Sequence, residues 1–174
     1  MKGFVIFFLS LVLFSCSETK QEETKQFIDK LSKEERTKLF QESMKSAIEK
    51  EQLQIKGWIS RFEKPFKETP TGVFIHEIEK GDSAYQIQSG FVVKLNYTLT
   101  LLNGDTIETN AIEKVKVEFD NNESGLHEAL KLLNLKSEAI VVIPSYRAHG
   151  LVGDDQSIPS LSTIIYQLKV LGFE

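Results

Sequence analysis

The chain has 174 residues, of which 41% are hydrophobic, with a formal net charge of -4 and a single cysteine. Length and composition suit one globular domain with an extension, and the mild acidity speaks against a nucleic-acid partner, whose phosphates need a clustered basic face. One cysteine excludes an internal disulfide and a thiolate cluster, and His76, His127 and His149 lack ligand spacing, so neither a metal nor a cofactor is expected.

Lys2 precedes an almost wholly apolar run over residues 4–14. Such a run is short for a bilayer span and suits a cleaved export signal. Leu13-Phe14-Ser15-Cys16 reads as a bacterial lipobox. It predicts a signal peptide over residues 1–15 and lipidation at Cys16, where several acyl chains anchor stably and one would not. The competing reading is an ordinary secretory leader that ends in cysteine. Residues 17–23 are polar and acidic: a solvated tether, or a sorting signal that selects the membrane face. The expected location is the bacterial cell envelope, lipid-anchored on a periplasmic or outer-membrane face.

Residues 16–66 are read as tether and helical arm. Phe27, Ile28 and Leu31, then Leu39, Phe40, Met44, Ala47 and Ile48, then Leu53, Ile55, Trp58, Ile59 and Phe62 recur at steps of three and four, the period of an amphipathic helix. Ser32-Lys33-Glu34-Glu35 has the spacing of a capping box, and Lys64-Pro65 is expected to end the helix. The stripe needs a cover. Over residues 24–62 it serves either a homodimer or envelope-partner interface, or packing on the chain's own domain.

Residues 67–174 read as one α+β domain. Residues 71–78 are expected as a first strand and residues 91–101 as a second, with Val93, Leu95, Tyr97, Leu99 and Leu101 on one face. Asn103-Gly104-Asp105 signals a tight turn, residues 106–109 return antiparallel, and residues 115–119 form a further strand. A helix follows over residues 122–133, with Leu126, Ala129, Leu130 and Leu133 on one side. Residues 138–143 and 164–171 are the last strands. Strands around one short helix imply an antiparallel sheet bent over it.

Several motifs fall at joint spacing: Asn96-Tyr97-Thr98-Leu99, Asn103-Gly104, Ile107-Glu108-Thr109-Asn110, Gly125-Leu126, Ile143-Pro144, Ala148-His149-Gly150, Ile158-Pro159 and Tyr166 in the last strand. Their order resembles that of FKBP-type peptidyl-prolyl isomerases from about residue 71 to the C-terminus. The lipobox, the charged arm and the segment Gly-Leu-x-Glu-Ala-Leu-Lys-Leu over residues 125–132 are together similar to lipoprotein isomerases of that family associated with gliding motility. The resemblance implies a bent sheet wrapped on a short helix and an apolar pocket that binds proline-containing protein segments. Tyr97 and Tyr166 match retained aromatic walls. Ile107 and Val117 stand for wall phenylalanines and Glu108 for the neighbouring acid. Leu126 takes the place of a tryptophan floor, His149 that of a tyrosine that orients the substrate carbonyl, and Ile158 keeps the apolar lip. On periodicity alone Tyr97, Leu126 and Tyr166 read as core residues of any α+β domain.

Three functions follow as alternatives. The first is a membrane-anchored prolyl isomerase that assists folding of exported envelope proteins, gliding-machinery proteins among them. The second is a weakly active or inactive FKBP-like domain that binds peptides or scaffolds an envelope complex, favoured by the replacements at Ile107, Val117, Leu126 and His149. The third is a structural lipoprotein whose arm makes the important interface.

Overall fold

The structure is a computed structural model that describes Lys25 and residues 27–174. The leader, Cys16 and the tether 17–23 lie outside the described residues. By its internal contacts the chain divides into Met1–Ile48 and Glu49–Glu174. The longest helix, α1 (Lys33–Ile59), runs across that division.

Helix α1 starts as the capping-box spacing predicts. The Ser32 amide donates to Glu35 Oε2 at 2.8 Å and the Glu35 amide donates to Ser32 Oγ at 3.3 Å. Two otherwise orphaned amides are thereby satisfied. The helix is continuous through Gly57 and ends at Ile59 rather than at Pro65. Its last turn tightens first, with Arg61 N–H on the Trp58 carbonyl and Phe62 N–H on the Ile59 carbonyl. The chain then reverses so that Trp58, Phe62 and Phe66 cluster, the first pair tilted with centroids 4.8 Å apart and the second edge to face at 5.2 Å. Among the described residues no helix is long and apolar enough to cross a membrane. In the first unit Phe27, Ile28, Leu39 and Phe40 are exposed.

The second unit holds β1 (Lys67–Glu68), β2 (Phe74–Glu79), β3 (Asp82–Gln86), β4 (Val92–Leu101), β5 (Thr106–Lys116), α2 (Ser124–Leu130), β6 (Asn134–Leu135), β7 (Glu138–Ile143) and β8 (Ile164–Phe173), with one turn of 3-10 helix over Ser145–Arg147. Six strands form one antiparallel sheet in the order β1-β2-β7-β8-β4-β5, and β3 pairs with β6 apart from it. The α+β class expected from the sequence is the one observed. The strand expected over 71–78 begins at Phe74 rather than at residue 71, and β1, β3 and β6 fall outside the expected strands; two further boundaries differ. Residues 106–109 and 115–119, read as separate strands, are parts of the single strand β5, which stops at Lys116. The helix expected over 122–133 is one turn and a half shorter, because Leu132 and Leu133 amides already bond three residues back.

The sheet is buried on both faces. One face carries Leu95, Tyr97, Leu99, Val141, Ile164 and Tyr166 against Leu126, Ala129 and Leu130 of α2. The other carries Phe74, Val142 and Ile165 against Ile55, Trp58 and Ile59 at the end of α1. Double burial explains why β7 and the start of β8 read as continuous apolar runs while β4 alternates cleanly. Helix α2 lies close on β7 because Gly125 has no side chain: a Cβ there would stand 2.4 Å from Ile143 Cγ2. Complete burial of a side chain such as Ile55 is worth roughly 1.5–3 kcal/mol. The last three turns of α1 therefore belong energetically to the second unit.

Candidate prolyl pocket

Tyr97 sits in mid-β4 and Tyr166 in β8, two strands that pair directly. Both side chains point into the face covered by α2, and their rings meet edge to face with centroids 5.2 Å apart. Val117, Leu126 and Ile158 are buried in the same cluster, with Ile107 packed at its edge. Tyr97 is 7% exposed, Tyr166 3%, Leu126 1% and Val117 0%. Leu126 and Val117 therefore underlie the aromatic pair and present almost no surface of their own.

The polar side of the site comes from three glutamates. Tyr97 O–H donates to Glu108 Oε2 at 2.7 Å and lies 3.2 Å from Glu113 Oε2. Glu113 Oε1 accepts from Asn122 at 3.1 Å. Tyr166 O–H donates to Glu123 Oε2 at 3.0 Å, and His149 Nε2 lies 2.9 Å from Glu123 Oε1. A carboxylate only accepts, so the imidazole carries its proton on Nε2 here. The Glu123 side chain is 9% exposed. Burial raises the Tyr97 phenol well above its ordinary range, helped by the Glu108 hydrogen bond and the Glu113 charge. Burial raises Tyr166 likewise, reinforced by the charge and hydrogen bond of Glu123. Both phenols are therefore held as donors.

A strand irregularity brings Glu108 and Glu113 to one phenol. Five residues apart on a regular strand, they would point to opposite faces. In β5, however, Ala111 pairs with Tyr97 and Glu108 with Leu99, so one extra residue is accommodated near Asn110, whose φ is 52°. The bulge returns Glu108 to the face of Tyr97 and Leu99. Glu123 is delivered by the bend between β5 and α2. There the buried His127 ties the chain down: its Nδ1 accepts from Glu118 N–H at 3.1 Å, and its Nε2 faces the Asp120 carbonyl at 3.1 Å. A ring nitrogen that accepts from an amide leaves the other to donate, so His127 is a satisfied structural imidazole.

His149 and Ile158 come from the loop over residues 144–163. Gly150 N–H bonds the Ser145 carbonyl at 2.8 Å and Leu161 N–H bonds the Gly150 carbonyl at 2.9 Å. Asp154 Oδ1 accepts the amides of Gln156, Ser157 and Ile158 at 2.9, 2.9 and 2.7 Å. Those amides, the Ile158 one most of all, hold its carboxyl below the usual aspartate range. The turn needs Gly153, at φ 77°, where a Cβ would fall 2.1 Å from the Ile158 carbonyl oxygen.

All eight residues singled out in the sequence, Tyr97, Ile107, Glu108, Val117, Leu126, His149, Ile158 and Tyr166, thus fall in or directly beneath one region. Glu113, Glu123 and Asn122 join it and were not among them. The bulge that recruits Glu113 leaves no composition signal. A cavity of about 510 Å³ lies elsewhere, lined by Trp58, Arg61, Leu102, Pro159 and Leu161 among others, and none of the eight lines it. Among the described residues no group of three or more His, Cys, Asp and Glu is arranged to hold a metal ion.

Comparison with known proteins places this site in a family. The model of the FKBP-type peptidyl-prolyl cis-trans isomerase family matches residues 83–171. The chain is 29% identical over 105 residues to the FKBP-type 22 kDa peptidyl-prolyl cis-trans isomerase of Escherichia coli (strain K12), covering 59% of this chain and 50% of that protein. It is 31% identical over 110 residues to a probable FKBP-type peptidyl-prolyl cis-trans isomerase of Haemophilus influenzae, covering 62% and 45%. The chain spans about half the length of the curated relatives it matches. Among solved structures, a peptidyl-prolyl cis-trans isomerase from Pseudomonas syringae superposes with a TM-score of 0.64 at 19% identity, covering 75% of this chain and 95% of that one. FkpA from Escherichia coli superposes with a TM-score of 0.61 at 23% identity, covering 90% and 81%. The structural likenesses speak to the fold, and the family model spans the strands, helix and loop that bring Tyr97, Tyr166, Leu126, His149 and Ile158 together: the chain belongs to the FKBP-type peptidyl-prolyl cis-trans isomerase family.

Proposed function

We propose that the pocket catalyses rotation about X-Pro bonds in protein segments. The observation that carries this reading is the buried Tyr97–Tyr166 pair, backed by Leu126, Val117 and Ile158, inside the stretch the family model matches. The reaction needs no nucleophile or metal. Its barrier is roughly 18–20 kcal/mol because a planar amide has resonance to lose. As the bond twists, the carbonyl gives up negative charge and the nitrogen recovers its lone pair. A rigid apolar wall favours that less dipolar state over the planar one, and each ~1.4 kcal/mol of such preference is about tenfold in rate. His149 brings its one N–H to the rim, where Glu123 Oε1 now accepts it, so a substrate carbonyl takes that donor in exchange for the Glu123 contact.

The Glu123 bridge between Tyr166 and His149 favours a second reading. A carboxylate within the pocket competes with a substrate carbonyl for both donors, which suits a peptide-binding module of low turnover. Acceleration of X-Pro isomerisation in a short peptide by residues 17–174, abolished by Tyr97→Ala, is the result expected of an enzyme. Saturable binding of the same peptide without acceleration would move the assignment to the binding module.

The lipobox supports a wider setting: anchoring through Cys16 in a bacterial envelope membrane, with clients among exported envelope proteins, including those of a gliding machinery. Of the arm over residues 24–62, the part before Glu49, where Phe27, Ile28, Leu39 and Phe40 are exposed, would supply the contact with a second copy or an envelope partner, since Ile55, Trp58 and Ile59 pack on the chain's own sheet. Metabolic labelling with a fatty acid, lost in Cys16→Ala, is the expected result for the anchor.

A further inference from the structure

The loop that carries His149 and Ile158 is gripped from behind, across the sheet, by one buried carboxylate. Glu51 of α1 is 8% exposed, in contact with Ser145 at 2% and Thr163 at 4%. Its Oε1 accepts from the Ser145 amide at 2.7 Å and from Thr163 Oγ1 at 2.6 Å, and its Oε2 accepts from Ser145 Oγ at 2.9 Å. The next residue reinforces the grip: Gln52 Nε2 donates to the Tyr146 hydroxyl at 3.0 Å.

Ser145 and Thr163 are the two ends of the loop. The grip also reaches its middle. The Ser145 carbonyl accepts the Gly150 amide, and the Gly150 carbonyl accepts the Leu161 amide. One carboxylate therefore fixes both stems and, through Ser145, the residue that follows His149. Buried charge-assisted hydrogen bonds are among the stronger in proteins, and a buried donor left without its acceptor is costly. No substrate atom need approach Glu51, since it acts from the face opposite the pocket.

We infer that Glu51 is a positioning residue of the prolyl pocket, setting the aim of His149 and the seat of Ile158 through the loop stems. The catalytic part of this inference rests on the isomerase reading above, whereas the loop-ordering part does not.

The test uses the chain from residue 17 onward with Glu51→Leu and Glu51→Gln. Leucine keeps the helix packing and removes every acceptor. Glutamine keeps an oxygen for the Ser145 amide and Thr163, and offers an N–H to Ser145 Oγ. Amide hydrogen exchange is read at Gly150, Ile158 and Leu161 in the loop and at β4 and β8 in the sheet, alongside peptide kcat and KM. In Glu51→Leu, loop protection is expected to fall at least tenfold with the sheet unchanged, and kcat/KM to fall about tenfold. Glu51→Gln is expected to restore both to within about threefold of the parent. Unchanged loop protection in Glu51→Leu, or a loss shared equally by the sheet, overturns the inference. A parent chain without peptide activity would sink the isomerase reading, while the exchange data still decide the loop. Should Glu51→Leu fail to fold, Ser145→Ala combined with Thr163→Val removes the two hydroxyl donors and is judged by the same criteria.

Discussion

Two phenols in this pocket face the same kind of partner with unequal consequences. Tyr166 donates to Glu123, whose side chain is almost buried, whereas Tyr97 donates to Glu108, which is exposed. Removing a donor from a buried carboxylate leaves a charge that water cannot reach, at about 1–3 kcal/mol, while an exposed carboxylate rehydrates. Tyr166→Phe should therefore cost about 1–3 kcal/mol in urea unfolding, and Tyr97→Phe less than about 1 kcal/mol. The same pair contributes to the loss of stability at alkaline pH. Both phenols are raised in the folded state, by burial first and by the glutamates next. Their contribution is complete below the ordinary tyrosine range near pH ~10, and falls as pH rises above it toward the folded values, because the unfolded chain then releases protons more readily. Stability measured between about pH 9 and 11.5 should drop with a slope that Tyr166→Phe reduces. Tyrosinate absorbance of the folded protein should lag behind that of the urea-unfolded chain. Equal titration of the two would remove the argument.

Among the elements, the end of α1 and the Asp154 turn govern the pocket from outside it. Ile55 is fully buried between α1 and the outer face of the sheet, with Phe74, Val142 and Ile165. Ile55→Ala should cost about 2–5 kcal/mol by loss of burial and a residual cavity. A fragment that begins at residue 67 lacks this cover and exposes all three partners. It should be far less stable than one that begins at residue 49, as compared by thermal unfolding and dye binding. The Asp154 turn acts on Ile158 directly. The Asp154 carboxyl is held low by the amides it accepts, so its contribution is present above the unfolded aspartate value and is lost as pH falls through the lower folded one. Exchange protection of the Ile158 amide should fade below about pH 4. Asp154→Ala should remove it at neutral pH, leaving the sheet amides unchanged.

On the scale of the whole molecule, the fold was legible where one physical rule acted alone. The alternation of β4, the capping box at Ser32, and the apolar runs of β7 and β8 each follow from burial or from an unsatisfied amide, and each is present. The site was legible only in part. Tyr97, Tyr166, Leu126 and Ile158 could be found through the family resemblance that their motifs carry, since periodicity alone reads Tyr97, Leu126 and Tyr166 as core. Glu113 could not, because a bulge in β5 changes its face without changing the composition around it. Nor could Glu51, which reads as one more acid on a charged helix until the tertiary fold sets it against Ser145 and Thr163. The acids at the two phenols act together electrostatically. Glu108, Glu113 and Glu123 gather at one pocket, and among the described residues His149 is the sole basic side chain in ion-pair range of them. On the proposed isomerase reading, a cationic side chain beside the substrate proline, about 7 Å from one of these carboxylates in a medium of effective dielectric ~40, gains about 1 kcal/mol, or roughly fivefold in kcat/KM. A peptide with lysine next to the proline should therefore exceed its alanine counterpart by about that factor at low salt, and one with glutamate there should fall below it. The spread should narrow at ~1 M salt, where the Debye length is ~3 Å. Glu113→Gln should narrow it further at low salt, since Glu113 is half-buried and poorly screened. Equal rates for the lysine and glutamate peptides at low salt would mean that the substrate's flanking residues stay clear of the carboxylates, with the proline ring alone entering the pocket.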